Sequence, residues 1–370
     1  MGGAQGGSAL AVSGGSVPGF RPSHDVRRVP FRAHDGMDLN LLHVRGPRAP
    51  SRGPVLLVHG AGVRATIFQA PTRTTIIDAL LEEGYDVWLE NWRASIDVKP
   101  NHWTLDQAAL YDHPAAVQKV LEQTGSKSLD AIIHCQGSTS FMMSVMAGLV
   151  PGVKTIVSNA VSLHPIVPSW SGFKLNAMVP VARLVTTHLN PHWGVQTEGF
   201  VSWLFTAMTK LTHQECDNTV CRLVSFSYGA GAPALWSHEN ISEATHGWLQ
   251  EEFGFVPLRF HAQMARCVRR GSLVSVEGLD GLPSDFAERS YRGDARIAFF
   301  AGEDNLCFLP ESQRASFAYF DALRPGVHSL HVVPRYGHLD MFFGENAARD
   351  VFPLMLDALA AGARPLAAAG

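Results

Sequence analysis

A chain of 370 residues with 46% hydrophobic and 17% charged residues has room for one large domain with an insertion, or for two ordinary domains. The formal net charge of −3, without a long run of Lys or Arg, gives no electrostatic reason to expect nucleic acid or an anionic membrane as partner. Five scattered cysteines fit a reducing compartment better than a disulfide framework. The first twenty residues make a poor signal peptide and no stretch reaches the length of a membrane span, so the sequence predicts a cytoplasmic protein.

The pattern of residues 1–58 predicts a disordered tail followed by the first strands of a sheet. Residues 1–24 are rich in Gly, Ser and Ala without periodicity, which indicates disorder. Residues 26–32 and 39–44 are strand candidates, and Asp35-Gly36 between them is a hairpin signal. Residues 54–58 are wholly apolar, which is typical of a strand covered on both faces.

Strand and helix patterns then alternate along the chain. Helices are predicted over 74–83, 105–123 and 138–149, and strands over 85–89, 129–133 and 153–158. After residue 292 the alternation resumes with strands over 295–301 and 327–333 and helices over 312–323 and 346–360. Short buried strands that alternate with helices predict an α/β fold: a mostly parallel central sheet with helices on both faces.

The alternation breaks over residues 161–292, which are mainly helical in pattern and too long for a loop. The sequence therefore predicts an α/β core over 25–160 and 293–362 with a helical cap inserted at 161–292. Predicted cap helices cover 175–189, 201–211, 246–255 and 258–269. One apolar stripe on a predicted cap helix indicates either a face packed in the hydrophobic core or a wall of a binding site for an apolar substrate. Its members are Val201, Leu204, Phe205, Met208 and Leu211.

The segment 132–138 is typical of a nucleophile elbow, a buried strand that turns sharply into a helix. Cys135 stands at the turn, and Gly137 provides the small neighbour that lets helix and strand approach. Cys135 is therefore the predicted nucleophile. Ser138 and Ser140 are rival nucleophiles whose flanking residues fit the pattern less well.

A nucleophile in such a fold needs a base and a group that orients the base, both from loops after later strands. His338 follows the last predicted strand and is the candidate base. Asp304 follows the preceding strand and is the candidate orienting acid, with Glu303 as its rival. His134 is expected on the other side of its strand as a buried, hydrogen-bonded residue.

A tetrahedral intermediate needs two N–H donors. The candidates are the backbone N–H of Gln136, after the nucleophile, and that of Ala61, between Gly60 and Gly62 in the loop after the third strand. His59 is expected to shape this turn.

Candidate substrate-binding residues are Gly60, Gly62, Arg64, Trp203 and Phe205. Arg64, like Arg93, also fits a structural ion pair. Cys216 and Cys221 with His213 lack the second ligand pair of a usual zinc site, so buried thiols are the favoured interpretation and no metal or cofactor site is predicted.

Five landmarks together resemble acid-lipase-type α/β-hydrolases, and still more the hydrolases associated with cholesterol-oxidase-type flavoproteins. They are His59-Gly60, the segment 84–93, the segment 111–115, His134-Cys135-Gln136-Gly137-Ser138 and Gly337-His338-Leu339-Asp340. The resemblance covers about residues 26–360 and implies a capped α/β-hydrolase fold without a cofactor. Cys135 and Ile133 depart from the serine and glycine of acid lipases. A cysteine in this frame is also similar to polyhydroxyalkanoate synthases and dienelactone hydrolases.

The leading hypothesis is a cofactor-independent hydrolase that opens an ester, lactone or thioester of a hydrophobic substrate through an acyl-Cys135 intermediate, with a Cys-His-Asp triad. An acyltransferase or cyclase that uses the same intermediate, similar to polyhydroxyalkanoate synthases or thioesterases, is the alternative. A catalytically silent binding protein is the third. The sequence predicts neither the acyl group nor the oligomeric state.

Overall fold

The computed structural model describes residues 19–231, 233–288, 291 and 293–362. Within these residues one eight-stranded sheet has the strand order β1-β2-β4-β3-β5-β6-β9-β10. Its strands are β1 (Asp25–Arg32), β2 (Asp38–Arg45), β3 (Pro54–Val58), β4 (Asp86–Asn91), β5 (Leu129–His134), β6 (Val153–Asn159), β9 (Arg296–Gly302) and β10 (Ser329–Val333). A two-stranded ribbon pairs β7 (His188–Leu189) with β8 (Val256–Pro257).

The sheet is mostly parallel, as the sequence predicted. β1 pairs antiparallel with β2, and β2 with β4, whereas the remaining neighbours are parallel. Every residue of β3 is buried, which explains its unbroken apolar sequence. Gly36 lies in the β1–β2 turn with φ +89°, a left-handed conformation that glycine adopts without strain.

Helices cover the sheet in two groups, since α1 contacts α14 and α3 contacts α4. The core helices are α1 (Ile76–Glu82), α2 (Leu105–Gln107), α3 (His113–Thr124), α4 (Cys135–Ala147), α11 (Glu311–Leu323), α12 (Asp340–Phe343), α13 (Ala347–Asp350) and α14 (Phe352–Gly362). The helix predicted over 105–123 is continuous in α2 and α3 through a π-helical turn at Ala108–Asp112.

Residues 161–292, termed the insertion below, leave the sheet after β6 and return at its hydrogen-bonded neighbour β9. The insertion contains α5 (Ser169–Phe173), α6 (Val179–Ala182), α7 (Gly199–Thr212), α8 (Thr219–Tyr228), α9 (Glu243–Glu252) and α10 (Leu258–Arg270). A π-helical turn, Lys174–Met178, joins α5 to α6. The helix predicted over 175–189 ends early, because the β-branched run 185–187 disfavours helix and the chain then pairs as β7. Helix α8 was not predicted.

Both chain ends extend beyond the described residues. Of the predicted tail, residues 1–18 lie outside them, whereas Arg21 and His24 each contact the Asp78 carboxylate at 3.0 Å. Helix α14 ends at Gly362, and the predicted frayed end beyond it lies outside the described residues. Over the part of the chain that the structure describes, no helix combines the length and apolarity needed to cross a membrane.

Candidate active site

Cys135 lies at a sharp turn between β5 and α4. Its φ is +55°, a left-handed value that is uncommon for a residue with a side chain and that marks a strained elbow. A Cβ on Gly137 would lie 2.2 Å from the carbonyl oxygen of His59, and a Cβ on Gly60 would lie 2.9 Å from the Cβ of Cys135. Glycine at both positions therefore lets the turn and the loop after β3 touch each other beside the sulfur.

The two rival serines face away from this site. The hydroxyl of Ser138 contacts that of Ser158 at 2.7 Å and donates to the carbonyl of Val161. The hydroxyl of Ser140 lies 2.7 Å from Nε2 of His113. Both serines are fully buried and neither lines the cavity described below, whereas Cys135 does. Of the three candidates, only Cys135 is open to a substrate in that cavity.

His338 follows β10 and lies beside the sulfur. The Cys135 sulfur and one ring nitrogen each of His134 and His338 are within 4.8 Å of one another. The backbone N–H groups of His338 and Leu339 donate to the carbonyl of Leu235 in the insertion, at 3.1 and 2.8 Å. The insertion thus holds the loop that carries the candidate base.

Asn305, rather than Asp304, contacts the ring of His338. The Asn305 side-chain amide lies 3.1 Å from Nδ1 of His338, and Asn305 is 1% exposed. Asp304 and its rival Glu303 are both exposed. The assignment of the orienting role to Asp304 is therefore corrected, because the loop after β9 turns the third of three consecutive polar residues inward.

Two backbone N–H groups determine the orientation of the Asn305 amide. Its Oδ1 accepts from the N–H of Cys307 at 3.0 Å and from that of Phe308 at 3.1 Å. Nδ2 therefore faces the ring and donates to Nδ1 of His338. A neutral His338 with an accepting Nδ1 carries its proton on Nε2, the tautomer opposite to the one that an orienting carboxylate selects.

His134 brings a second imidazole into the site. It is buried and hydrogen-bonded as expected, with Asn159 Nδ2 at 3.0 Å from its Nδ1. Its ring centroid, however, lies 4.6 Å from that of His338, on the side of the nucleophile. Burial, and then the charges that His338 and His59 can carry, hold the pKa of His134 well below its usual value. The expected placement on the other side was wrong, because the strand alternation ends at the turn.

The surroundings of Cys135 lower the pKa of its thiol. Burial alone opposes ionisation, but the neighbouring Cys307 thiol, the His338 ring and the Gln136 N–H together hold the pKa of Cys135 well below its usual value. The same contact with Cys135, reinforced by burial, raises the pKa of Cys307 well above its usual value. Cys307 is thus the thiol of the pair that keeps its proton, and its Sγ also donates to the carbonyl of Tyr228 at 3.3 Å. The sequence did not indicate this neighbour of Cys135.

The two expected N–H donors come from different elements, Gln136 from α4 and Ala61 from the loop after β3. The Gln136 N–H is directed at the Cys135 sulfur from the first turn of α4. Ala61 is buried, and its carbonyl accepts from the hydroxyl of Tyr228 at 3.4 Å. His59 Nδ1 bonds to the carbonyl of Gly60 at 2.7 Å, which fixes the turn. Gly62 has φ +67°, and a Cβ there would clash with Val256 at 2.3 Å.

A cavity of about 380 Å³ extends from the sulfur into the insertion. Its walls are almost entirely apolar and come mainly from α6, α7, α8 and α10. Lining side chains include Leu175, Met178, Val179, Val181, Leu204, Phe205, Met208, Phe226, Tyr228, Phe260, Met264 and Phe308. Phe205 therefore lies where the sequence argument expected it. Trp203 is 55% exposed and is not among the lining residues, because it projects from another side of α7.

Lys174 is the one lysine that lines this cavity among the described residues. It is 8% exposed, and its ammonium donates to the carbonyls of Phe226 and Gly229. Burial lowers its pKa to about 8. Its charge is thus held inside the protein by carbonyl oxygens at the end of α8.

Arg64 does not reach the cavity. Its guanidinium lies 2.8 Å from the carboxylate of Glu252 in α9, which also accepts from the hydroxyl of Thr66 at 2.7 Å. Arg64 therefore joins the loop after β3 to the insertion as a structural ion pair. Arg93 is likewise paired, with Asp112 at 2.6 Å.

The structure brings Cys216 and Cys221 together with two histidines that the sequence argument did not consider. One ligand atom from each of Cys216, Cys221, His238 and His246 lies within 4.8 Å of the others. His213, the histidine weighed from the sequence, instead packs edge-on against Phe226.

No protein-family profile matches the chain. In fold, a carboxyl esterase from Bacillus coagulans is similar, with a TM-score of 0.61 at 15% identity over 91% of this chain and 98% of that chain. This similarity, the mostly parallel sheet and the elbow define an α/β-hydrolase fold and confirm the predicted fold class.

Human lipase member K is 34% identical over 343 residues, which cover 84% of this chain and 80% of that lipase. Sterol esterase 2 of Saccharomyces cerevisiae is 29% identical over 213 residues, which cover 50% of this chain and 38% of the esterase. The chain belongs to the lipase family of α/β-hydrolases that includes human lipase member K, a family of ester-hydrolysing enzymes. The predicted superfamily is thereby confirmed. These comparisons do not test the cysteine nucleophile, which remains a prediction.

Proposed function

We propose that the protein cleaves a carboxylic ester or thioester of a hydrophobic acyl substrate through an acyl-Cys135 intermediate. The observation that carries the proposal is the position of Cys135: at a strained elbow, beside His338, at the inner end of an apolar cavity. Membership of the lipase family supports ester cleavage, and the low pKa of Cys135 supports attack by the thiolate.

Acylation transfers the acyl group from oxygen or sulfur to Cys135. The thiolate forms a bond to the carbonyl carbon, and the N–H groups of Gln136 and Ala61 stabilise the oxyanion. The carbonyl re-forms as the bond to the leaving group breaks, and the leaving group takes a proton from Nε2 of a His338 ring that is protonated on both nitrogens. For hydrolysis, the Nδ1–H ring that remains takes one proton at Nε2 from the attacking water, the acid is released, and the Cys135 thiolate and the doubly protonated ring are restored.

The Asn305 amide makes the proton transfers at His338 difficult. His338 can give a proton from Nε2 only if Nδ1 also holds one, and it can take a proton there only as the Nδ1–H tautomer. In both cases an N–H on Nδ1 meets the donating Nδ2 of Asn305, whose orientation two backbone N–H groups maintain. Leaving groups that need little protonation, such as thiolates and activated alcohols, are therefore the preferred substrates.

The same contact favours a second candidate function, acyl transfer to a bound acceptor. Water needs a strong general base, whereas a thiol or amine attacks a thioester with less assistance. A slowly hydrolysed acyl-Cys135 would persist until such an acceptor binds. The apolar cavity supports a hydrophobic acyl group for either function.

Intact-protein mass spectrometry after mixing with p-nitrophenyl octanoate and an octanoyl thioester tests the proposal. We expect an octanoyl adduct on wild-type protein and on the Asp304→Asn control, and none on Cys135→Ala. Turnover that continues at the wild-type rate in Cys135→Ala would identify a different nucleophile. No adduct and no turnover across a panel of chain lengths would favour the silent binding protein.

A further inference from the structure

The insertion contains a compact group of two thiols and two imidazoles outside the active site. Cys216 precedes α8, Cys221 lies in its first turn, His238 begins a short 3₁₀ turn, and His246 lies in α9. One ligand atom from each residue lies within 4.8 Å of the others. Four residues from three segments of the insertion thus converge on one point.

The spacing of these atoms fits a tetrahedral zinc ion. With Zn–S bonds of about 2.3 Å and Zn–N bonds of about 2.0 Å, ligand atoms on a tetrahedron lie about 3.3–3.8 Å apart. The Cys221 sulfur already lies 3.5 Å from Nε2 of His238. The remaining pairs of ligand atoms are within 4.8 Å, so each pair needs to close by at most about 1.5 Å to reach tetrahedral spacing.

A second observation points to a missing partner. Nε2 of His246 is buried without a hydrogen bond of normal geometry among the described residues, and the ring lies close to the Cys216 thiol. A buried imidazole nitrogen without a partner is costly unless something binds it. Cys221 is 1% exposed and therefore shielded from water, whereas Cys216 is only partly buried.

Asn218 forms hydrogen bonds with the backbone of two of the candidate ligand residues. Its Oδ1 accepts from the N–H of Cys221 at 3.0 Å, and its Nδ2 donates to the carbonyl of His246 at 2.8 Å. One side chain thus fixes the backbone of two members of the group. Outer contacts of this kind hold ligands in place at metal sites.

We propose that Cys216, Cys221, His238 and His246 bind one zinc ion. The two thiols lose their protons to solvent on binding, so two thiolates and two neutral imidazoles balance the charge of the ion. Four protein ligands leave no open coordination position, which makes the site structural rather than catalytic.

The zinc ion would brace the part of the insertion that shapes the active site. Helix α8 carries Cys221 at its first turn and the cavity-lining Tyr228 at its end. The segment that includes His238 also supports the candidate base, because Leu235 accepts from the N–H of His338, and Asn240 donates to Asp340 at 2.7 Å. Loss of the ion should therefore loosen both the cavity wall and the His338 loop.

Zinc content of the full chain, expressed without a histidine tag and dialysed in reductant, tests the proposal by elemental mass spectrometry. We expect about one zinc per chain in wild type and at least a tenfold decrease in Cys216→Ser and in His246→Gln, since structural sites need four ligands. Matched controls outside the group, Cys267→Ser and His213→Gln, should keep the wild-type content. Cys135→Ala should also keep it, which excludes the active-site thiol as the ligand.

Cobalt provides a test on wild-type protein alone, in case a variant does not fold. After zinc removal with a chelator, added Co²⁺ should produce sulfur-to-cobalt charge-transfer bands and the visible bands of tetrahedral cobalt at one ion per chain. Absence of these bands after Co²⁺ is added to the zinc-free wild-type protein would overturn the proposal. So would a Cys216–Cys221 disulfide, if the protein still binds no metal after its reduction, or a zinc content that is unchanged in both ligand variants.

Discussion

The side-chain amide of Asn305 donates to Nδ1 of His338 at 3.1 Å, where a triad carboxylate would accept a hydrogen bond. Because Oδ1 of Asn305 is held by the N–H groups of Cys307 and Phe308, the amide cannot reverse without losing two bonds. A substitution of Asn305 is therefore the smallest change to the protein that should alter the strength of His338 as a base.

Replacing Asn305 by Asp should accelerate hydrolysis of the acyl-enzyme. The carboxylate keeps the bonds to both backbone N–H groups and accepts Nδ1–H, so Nε2 becomes free to take a proton from water. We expect the deacylation rate to rise about 100-fold, within the 10⁴-fold range known for triad carboxylates. Stopped-flow measurement with p-nitrophenyl octanoate separates the burst from the steady state. Asp304→Asn, which changes an exposed side chain, should behave as wild type, and a slower Asn305→Asp would refute the tautomer argument.

The Cys135 thiolate should persist to low pH. A lowered pKa means that the thiolate fraction, and with it the alkylation rate, reaches its plateau below the usual thiol pKa of about 8.5. Iodoacetamide labelling of Cys135, followed by peptide mass spectrometry across pH, measures this curve. Cys307→Ser replaces the neighbouring thiol by a hydroxyl of similar shape, whereas Cys307→Ala leaves no hydrogen-bond donor there. Only the alanine variant should therefore shift the curve of alkylation rate against pH strongly to higher pH. An alkylation midpoint near 8.5 in wild type would contradict the prediction.

The length of the accepted acyl chain should depend on α7. Met208→Trp adds volume to the cavity wall, and each methylene that no longer fits changes kcat/KM by about 10-fold or more. We expect the Met208→Trp variant to prefer p-nitrophenyl esters with shorter acyl chains than the wild-type protein prefers. Trp203→Ala, on the same helix but outside the cavity, is the control that should leave the profile unchanged. Equal effects of the two variants would show that this cavity does not hold the acyl group.

The pair formed by Arg64 and Glu252 should stabilise the protein without binding substrate. Glu252 is 2% exposed, so Arg64→Met leaves a buried carboxylate without its guanidinium and should lower the free energy of unfolding by about 3 kcal/mol. The double variant with Glu252→Gln should recover part of this loss. Denaturant unfolding measures stability, and KM for a neutral ester should stay within about twofold. A large increase in KM in the folded variant would restore Arg64 as a substrate ligand.

The sequence was sufficient for the elements that local patterns determine. The strand before Cys135, the turn at Gly137 and the position of His338 after the last strand follow from short-range periodicity and small residues. The choice between Asp304 and Asn305 did not, because it depends on which of three consecutive side chains a loop turns inward.

Residues contributed by the insertion were harder to foresee. His238 and His246 approach Cys221 only through the packing of α8 against α9, over distances in the chain at which no sequence periodicity operates. Lys174 is also unexpected, since a buried lysine has no signature apart from the carbonyls that surround it.

The contact between Arg64 and Glu252 also makes the loop after β3 and the insertion depend on each other. In the proposed mechanism the loop after β3 supplies the Ala61 N–H, whereas the insertion forms most of the cavity wall. An ion pair between them means that exchange of the insertion alone, by recombination with a relative, would leave one charge without its counterpart. Natural relatives should therefore change these two positions together, and a chimaeric enzyme should be designed with both taken from the same parent.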